Sequence, residues 1–170
     1  MNDESKDVIV LGVIKGGAKK FDKIRKQARI ESEELNQILE KLEERGLIQV
    51  QEKKGFLGKK IEITLTDKGN TELENRVHEL EKDWNQMVAL YKSGDKTKLN
   101  QYMDDHRSFF PMMMFFGIMD MMMFSMMFSM MGASMTDYVP AEDMPADMEG
   151  GDYGDSGGMD DGGFDVDIGF

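Results

Sequence analysis

The chain has 170 residues, no cysteine and a formal net charge of −12. This length suffices for one hydrophobic core with an appendage, and the lack of cysteine excludes disulfides, thiolate metal sites and cysteine nucleophiles. Residues 1–70 hold 15 Lys and Arg against 13 Asp and Glu, whereas residues 108–170 hold none against 12. The N-terminal part can therefore face an anion, because charges act within a Debye length of about 8–10 Å.

Three helices are predicted in the first part of the chain. Apolar residues recur at helical spacing from Ile9 to Ile14 and predict the first helix, which a glycine pair ends. A second helix is predicted over about residues 19–28. Ser32 is predicted to be the N-cap of the third helix, which Gly46 ends.

A β-hairpin is predicted next. Residues 47–51 and 61–65 both alternate apolar and polar side chains, as antiparallel strands do. The intervening string EKKGFLGKK has two glycines and four lysines, which predicts a flexible basic tip. Thr66 is predicted to cap a long helix that extends to about residue 92.

Apolar residues in that long helix recur at alternating spacings of four and three. Such a pattern keeps one seam directed at a partner helix. We interpret the seam as a homodimer interface formed by Leu73, Val77, Leu80, Trp84, Met87 and Tyr91.

The strings FDKIRKQARIESEELNQILEKLEERGLI and ITLTDKG, with a hairpin between them, resemble the winged helix-turn-helix family of DNA-binding proteins. The resemblance implies a mainly α fold with a small β-hairpin wing, an α+β arrangement. The long helix after the wing is similar to the dimerisation helices of archaeal-type, PadR-like and MarR-like regulators. The resemblance therefore implies a dimeric transcriptional regulator of double-stranded DNA and no enzyme.

In this family the third helix enters the major groove, and the wing lies on the backbone or in the minor groove. On this sequence, the resemblance assigns base contacts to Ser32, Asn36 and Gln37. Asn and Gln side chains are suited to adenine edges. It assigns phosphate contacts to the basic residues around the second helix and on the wing, namely Lys19, Lys20, Lys23, Arg25, Lys26, Arg29, Lys53, Lys54, Lys59 and Lys60.

The third helix is also rich in carboxylates, which oppose binding to phosphates. Its glutamates are Glu31, Glu33, Glu34, Glu40, Glu43 and Glu44. Some favour the N-terminus of the helix through its dipole, and a glutamate can accept a hydrogen bond from cytosine N4. We find no catalytic set, phosphate loop or metal-ligand spacing, so we expect no catalytic residue, no cofactor and no metal.

The segment 109–135 is dominated by methionine and phenylalanine, with 12 methionines between Met112 and Met135. It is long enough to span a membrane, although Asp120 near its middle costs about 3 kcal/mol on insertion. It also suits an adaptable surface for a hydrophobic peptide, a lipid or a second copy of the chain. A Cu(I) site is a third hypothesis. The residues expected to meet a membrane or hydrophobic partner are Met112, Met113, Met114, Phe115, Phe116, Met119, Met122, Met123, Met126 and Met127.

We therefore predict four parts: a winged helix-turn-helix domain (1–70), a helical dimerisation region (71–110), an apolar Met-rich helix (111–135) and a disordered acidic tail (136–170). The alternative function is a chaperone-like or interaction protein that uses the Met-rich helix. No signal peptide is predicted. We expect a cytoplasmic protein, associated with a membrane if residues 109–135 insert.

Overall fold

The computed structural model describes residues 3–141 and residue 144. The fold class is confirmed: the chain is mainly helical with one two-stranded antiparallel hairpin. The elements are α1 (Asp3–Lys15), α2 (Phe21–Ala28), α3 (Ser32–Glu44), β1 (Ile48–Gly55), β2 (Gly58–Leu65), α4 (Asp67–Ser93), α5 (Lys96–Asp105), α6 (Phe110–Phe115) and α7 (Met121–Met131), with 3-10 helices at Arg107–Phe109 and Met135–Asp137.

The centre of the fold is α1, which is apolar around most of its circumference. Its four consecutive residues from Val8 to Leu11 are all buried, so that no side of this stretch faces water. Helices α2, α3, α4 and α6 and strand β2 all contact it. Ser5 lies within α1, and its hydroxyl donates to the Ser108 carbonyl at 3.1 Å. The N-terminal helix is therefore the shared core of both halves of the chain.

A three-residue turn joins α2 to α3, as in a helix-turn-helix. Arg29 adopts a left-handed conformation (φ 54°), and its N–H donates to the Arg25 carbonyl. The next residue, Ile30, is buried beneath the turn. Glu31 occupies the N-cap position of α3 and makes no side-chain cap. The prediction that Ser32 is the N-cap is therefore wrong by one residue, since Ser32 is the first residue of the helix.

The hairpin is longer and more regular than predicted. Its strands are paired from Ile48 opposite Leu65 to Gly55 opposite Gly58. Only Phe56 and Leu57 form the turn. The prediction of a flexible nine-residue tip is therefore wrong, because the lysine-containing segments on both sides are strand residues.

Helix α4 begins as predicted. The Thr66 side chain accepts a hydrogen bond from the Gly69 N–H at 3.0 Å. Gly69 is buried against the chain where β1 begins, and a Cβ at this position would overlap the Leu47 carbonyl oxygen. The string ITLTDKG thus ends in glycine because α4 touches the backbone of the preceding segment.

The Met-rich segment forms two short helices, so the prediction of one continuous helix is wrong. Pro111 lies in the first turn of α6, where its missing N–H costs no hydrogen bond. Gly117 follows α6 with φ 64°. Asp120 caps α7 and accepts hydrogen bonds from the Met122 and Met123 N–H groups at 2.9 and 3.1 Å. No helix in the described part of the chain has the length and apolarity needed to span a membrane.

Helices α5, α6 and α7 fold back and form one core with the N-terminal domain. Helix α4 contacts α1, β2, α5 and α6, and α5 contacts α7. The rings of Trp84 and Phe124 are 6.3 Å apart, and those of Phe110 and Phe124 are 5.3 Å apart. Most methionines of this segment therefore lie in the hydrophobic core or pack against it.

The residues predicted as a dimer seam make intrachain contacts. Leu73, Leu80, Trp84 and Met87 are buried, and Val77 and Tyr91 are half-buried. The spacing identified the apolar face of α4 correctly. In this structure that face is covered by the chain itself, and a homodimer remains a prediction.

The first residues of the predicted tail belong to the folded body. Val139 is buried, and the Tyr138 hydroxyl donates to Asp104 at 2.6 Å. Disorder from residue 136 is therefore wrong for these positions, because an aromatic and an aliphatic side chain find apolar surface there. Residues 142–143 and 145–170 of the predicted tail lie outside the described residues.

Two tyrosine hydroxyls bind carboxylates at this end of the molecule, and they make a testable prediction. Burial, reinforced by the hydrogen bond to Asp83, raises the pKa of Tyr102 to about 12. The hydrogen bond to Asp104 is the main cause that raises the pKa of Tyr138 to about 12. We expect an absorbance titration to show a late tyrosinate step near pH 12 that disappears in Tyr102→Phe/Tyr138→Phe.

The corresponding stability has a defined pH window. Tyrosine in the unfolded chain has a pKa of about 10. Because the pKa is raised in the folded protein, these hydrogen bonds contribute their full stability below about pH 10, and this contribution is lost as the pH rises through about 12. Ionisation of both residues in a single step near pH 10 would show that these hydrogen bonds are absent in solution.

Candidate nucleic-acid interface

The exposed side of α3 carries mostly acidic residues. Its buried stripe is Leu35, Ile38, Leu39 and Leu42. At helical spacing the positions opposite this stripe are Glu33, Gln37, Glu40 and Glu44, all exposed. Ser32 and Asn36 are exposed beside them. The three predicted base-reading residues thus share an accessible surface with glutamates.

Several charges of α3 are engaged within the domain. The Lys41 ammonium lies 2.7 Å from Asp7 Oδ2. Arg45 pairs with Glu72, and Glu34 pairs with Lys6. Lys41 and Arg45 therefore anchor α3 to α1 and α4, and neither helps to offset the glutamates on the exposed side.

Asp7 is the buried centre of this anchoring. Only 4% of the residue is exposed, and its Oδ1 has no hydrogen-bond partner among the described residues. Lys41 and Arg45 both approach Oδ2, at 2.7 and 3.8 Å. A carboxylate within an apolar helix was the only sequence signal of this contact, and its partners lie more than 30 residues away.

A charged cleft of about 320 Å³ lies beside this group, between α1, α3 and α4. Its lining includes acidic and basic residues that already pair with one another, such as Arg76 with Glu4 and Glu79. The cleft explains how α4 is held against α3, and its paired charges leave little net attraction for an ion.

The basic residues around α2 are exposed. They are Lys19, Lys20, Lys23, Lys26 and Arg29, whereas Arg25 is half-buried. The carbonyl of Lys19 accepts a hydrogen bond from the Ile63 N–H of β2 at 2.9 Å. The start of α2 is therefore joined to the wing, although 44 positions separate the two residues in sequence.

The wing lysines cluster through the strand register. Lys53 lies opposite Lys60, and Lys54 lies opposite Lys59. Lys53 pairs with Glu62 at 2.7 Å, and Lys59 pairs with Glu52 at 3.4 Å. The hydrogen bond from Lys53 is the main cause that lowers the pKa of Glu62, and Lys19 and Lys60 add to it. Because Lys53 and Lys60 are opposite each other, their side chains share one face of the hairpin, which makes this side of the wing basic.

The wing also carries a feature that the sequence analysis did not identify. Phe56 and Leu57, at its tip, have relative exposures of 109% and 94%. In the sequence, two apolar residues between glycines predicted only a turn. The completed strand pairing shows that the tip presents these two side chains to solvent.

The predicted hydrophobic-partner residues are divided by the fold. Met112, Met113, Met119 and Met127 are buried in the chain's own core, and Met114, Phe116 and Met123 are half-buried. Only Phe115, Met122 and Met126 are exposed. A continuous Met-rich binding surface is therefore not present in this structure.

Two helices joined by a three-residue turn, followed by a β-hairpin and a long helix, define a winged helix-turn-helix protein. Comparison with protein families assigns residues 3–91 to the HxlR-like helix-turn-helix family. The chain therefore belongs to this family of winged helix-turn-helix transcription regulators. Neither curated proteins nor solved structures give a significant match.

Proposed function

We propose that this protein is a transcriptional regulator that binds duplex DNA with α3 in the major groove and the wing on the adjacent backbone. Family membership supports DNA binding in general. The observation that carries the detailed proposal is that lysines of the wing and of the start of α2 are held together beside α3. Lys53 lies opposite Lys60 on the hairpin, and the Lys19 carbonyl accepts the Ile63 N–H of β2. Both elements that flank α3 thus present cations to a phosphate backbone.

The acidic face of α3 limits what this helix contributes. Carboxylates repel phosphates, so the affinity must come from α2 and the wing. Within the groove, Gln37 and Asn36 suit adenine, and a glutamate suits the cytosine amino group. We therefore propose that α3 selects sequence through neutral amides and carboxylates, with weak affinity of its own.

Two further parts of the proposal concern oligomerisation and relatives. The long α4 supports the narrower likeness to PadR-like and MarR-like regulators. We propose a homodimer, because helix-turn-helix dimers bind the two half-sites of a two-fold operator. The apolar seam of α4 is covered by the chain itself, so we do not assign the dimer surface to it.

The alternative hypothesis is a Met-rich surface that binds a client protein or a membrane. Three exposed residues of the predicted set support it.

Wing lysines provide the test of DNA binding. We expect full-length Lys54→Gln/Lys60→Gln to bind a mixed-sequence duplex about tenfold more weakly at low salt, because two phosphate contacts are lost. The slope of log affinity against log salt should fall by about two. Fluorescence anisotropy at several salt concentrations measures both quantities.

A matched control is Lys82→Gln/Lys92→Gln, which removes the same charge from exposed positions on α4. This variant should bind like the wild type. Equal losses in both pairs would indicate only a response to net charge, and no binding by the wild type at low salt would refute the proposed function.

A further inference from the structure

The tip of the wing exposes two large apolar side chains in a strongly basic setting. Phe56 and Leu57 are almost wholly accessible, at 109% and 94%. A contiguous apolar patch exposed on a protein surface is often functional. We propose that Phe56 and Leu57 form a wedge that inserts from the minor groove into a base step of duplex DNA.

The strand pairing holds this wedge in a defined position. Pairing continues to Gly55 opposite Gly58, the last positions before the turn. Gly58, the first residue after the turn, has φ 120°, a backbone conformation that residues with a side chain rarely adopt. At the other end, Ile48 and Ile63 are buried in the core. The tip is therefore presented from a ladder anchored beside α3.

The charges around the tip fit a polyanion. Four lysines lie within three positions of the pair, two on each strand, and all four are exposed. Lys53 and Lys59 pair with wing carboxylates, whereas Lys54 and Lys60 form no ion pair within residues 3–141. An apolar tip with cations behind it matches a stack of bases bordered by phosphates.

The length of the hairpin is sufficient for this contact. Eight residues of strand extend for roughly 25 Å. In B-DNA, with about 34 Å per turn, the minor groove lies about half a turn from a helix in the major groove. Because the minor groove is only about 6 Å wide, the tip side chains enter it and the ribbon remains outside. Apolar side chains that enter in this way unstack the step and bend the duplex.

This inference rests on the proposed function, since a wedge requires bound DNA. The probe is a short duplex of alternating T and A in which the fluorescent analogue 2-aminopurine replaces several adenines. Such TA steps are easily opened, and the analogue brightens when it is unstacked. We expect the full-length wild type to increase this fluorescence severalfold on binding. Fluorescence anisotropy of the same duplex measures the binding itself.

The decisive variant is Phe56→Ser/Leu57→Ser, which keeps every lysine. We expect it to lose the fluorescence increase and to bind about tenfold more weakly, with an unchanged salt slope. Its thermal unfolding should match the wild type, because both side chains are exposed. The matched control is Ile61→Ser, which removes an exposed apolar side chain from β2 behind the tip and should keep the signal.

Four outcomes would overturn the inference. Binding by the wild type without a fluorescence increase, or an increase that persists in Phe56→Ser/Leu57→Ser, refutes the wedge and leaves the proposed function standing. Failure of the wild type to bind the duplex refutes both. If the double variant binds DNA normally but no longer binds phosphatidylserine vesicles that the wild type binds, the tip serves a membrane surface instead.

Discussion

Replacing Phe124 with alanine should destabilise the protein by about 3–5 kcal/mol, the usual cost of removing a buried phenylalanine. Phe124 is fully buried on α7 and contacts the rings of Trp84, Phe110 and Phe128. Urea unfolding followed by the fluorescence of Trp84, the only tryptophan, measures the loss directly. The result would establish that the Met-rich segment is part of the core.

The matched control lies two residues earlier on the same helix. Met122 is 69% exposed, so Met122→Ala should change the free energy of unfolding by less than about 0.5 kcal/mol. If Phe124→Ala were equally mild, α7 would not be attached to α4 in solution. A membrane-inserted or partner-bound segment would then regain support.

Gly69→Ala should be the second severe substitution, with a loss of about 3 kcal/mol. The new Cβ would overlap the carbonyl oxygen of Leu47. That oxygen also accepts the Thr66 N–H at 3.0 Å, so it cannot move without breaking a hydrogen bond at the start of α4. Thermal or urea unfolding of the full-length variant measures the effect.

Gly16→Ala is the appropriate control for a glycine-to-alanine change. Gly16 is exposed at the end of α1, and its nearest backbone atoms would lie 3.5 Å from a new Cβ. Its effect should remain below about 1 kcal/mol, the usual difference in helix propensity. Similar effects at the two positions would mean that α4 does not approach Leu47 as closely as described.

Local signals predicted the helix-turn-helix and its wing. The stripe from Leu35 to Leu42 is typical of a half-buried helix, and Thr66 is a favoured cap, so both elements follow from short-range chemistry. The same kind of signal was present at Asp120. Because the residues on both sides of Asp120 are apolar, the sequence predicted one continuous helix there and not the start of a new one.

Periodicity identifies an apolar face but does not identify its partner. The spacing from Leu73 to Tyr91 is equally compatible with a second copy and with helices later in the chain. The structure covers this face internally. Likewise, the sequence does not indicate that Lys41 lies 2.7 Å from Asp7. Pairings between distant residues depend on the assembled fold, and no local pattern contains them.

The position of α1 bears on how the chain assembles during synthesis. The Ser5 hydroxyl finds its carbonyl partner 103 positions later, and Gly12 lies so close to the Phe116 ring that a Cβ would be only 2.6 Å away. The packing around α1, the first helix to be synthesised, is thus complete only when residues near 116 have emerged. Contacts of such long sequence separation slow folding. A nascent DNA-reading domain would consequently keep an apolar side open until the Met-rich helices close it.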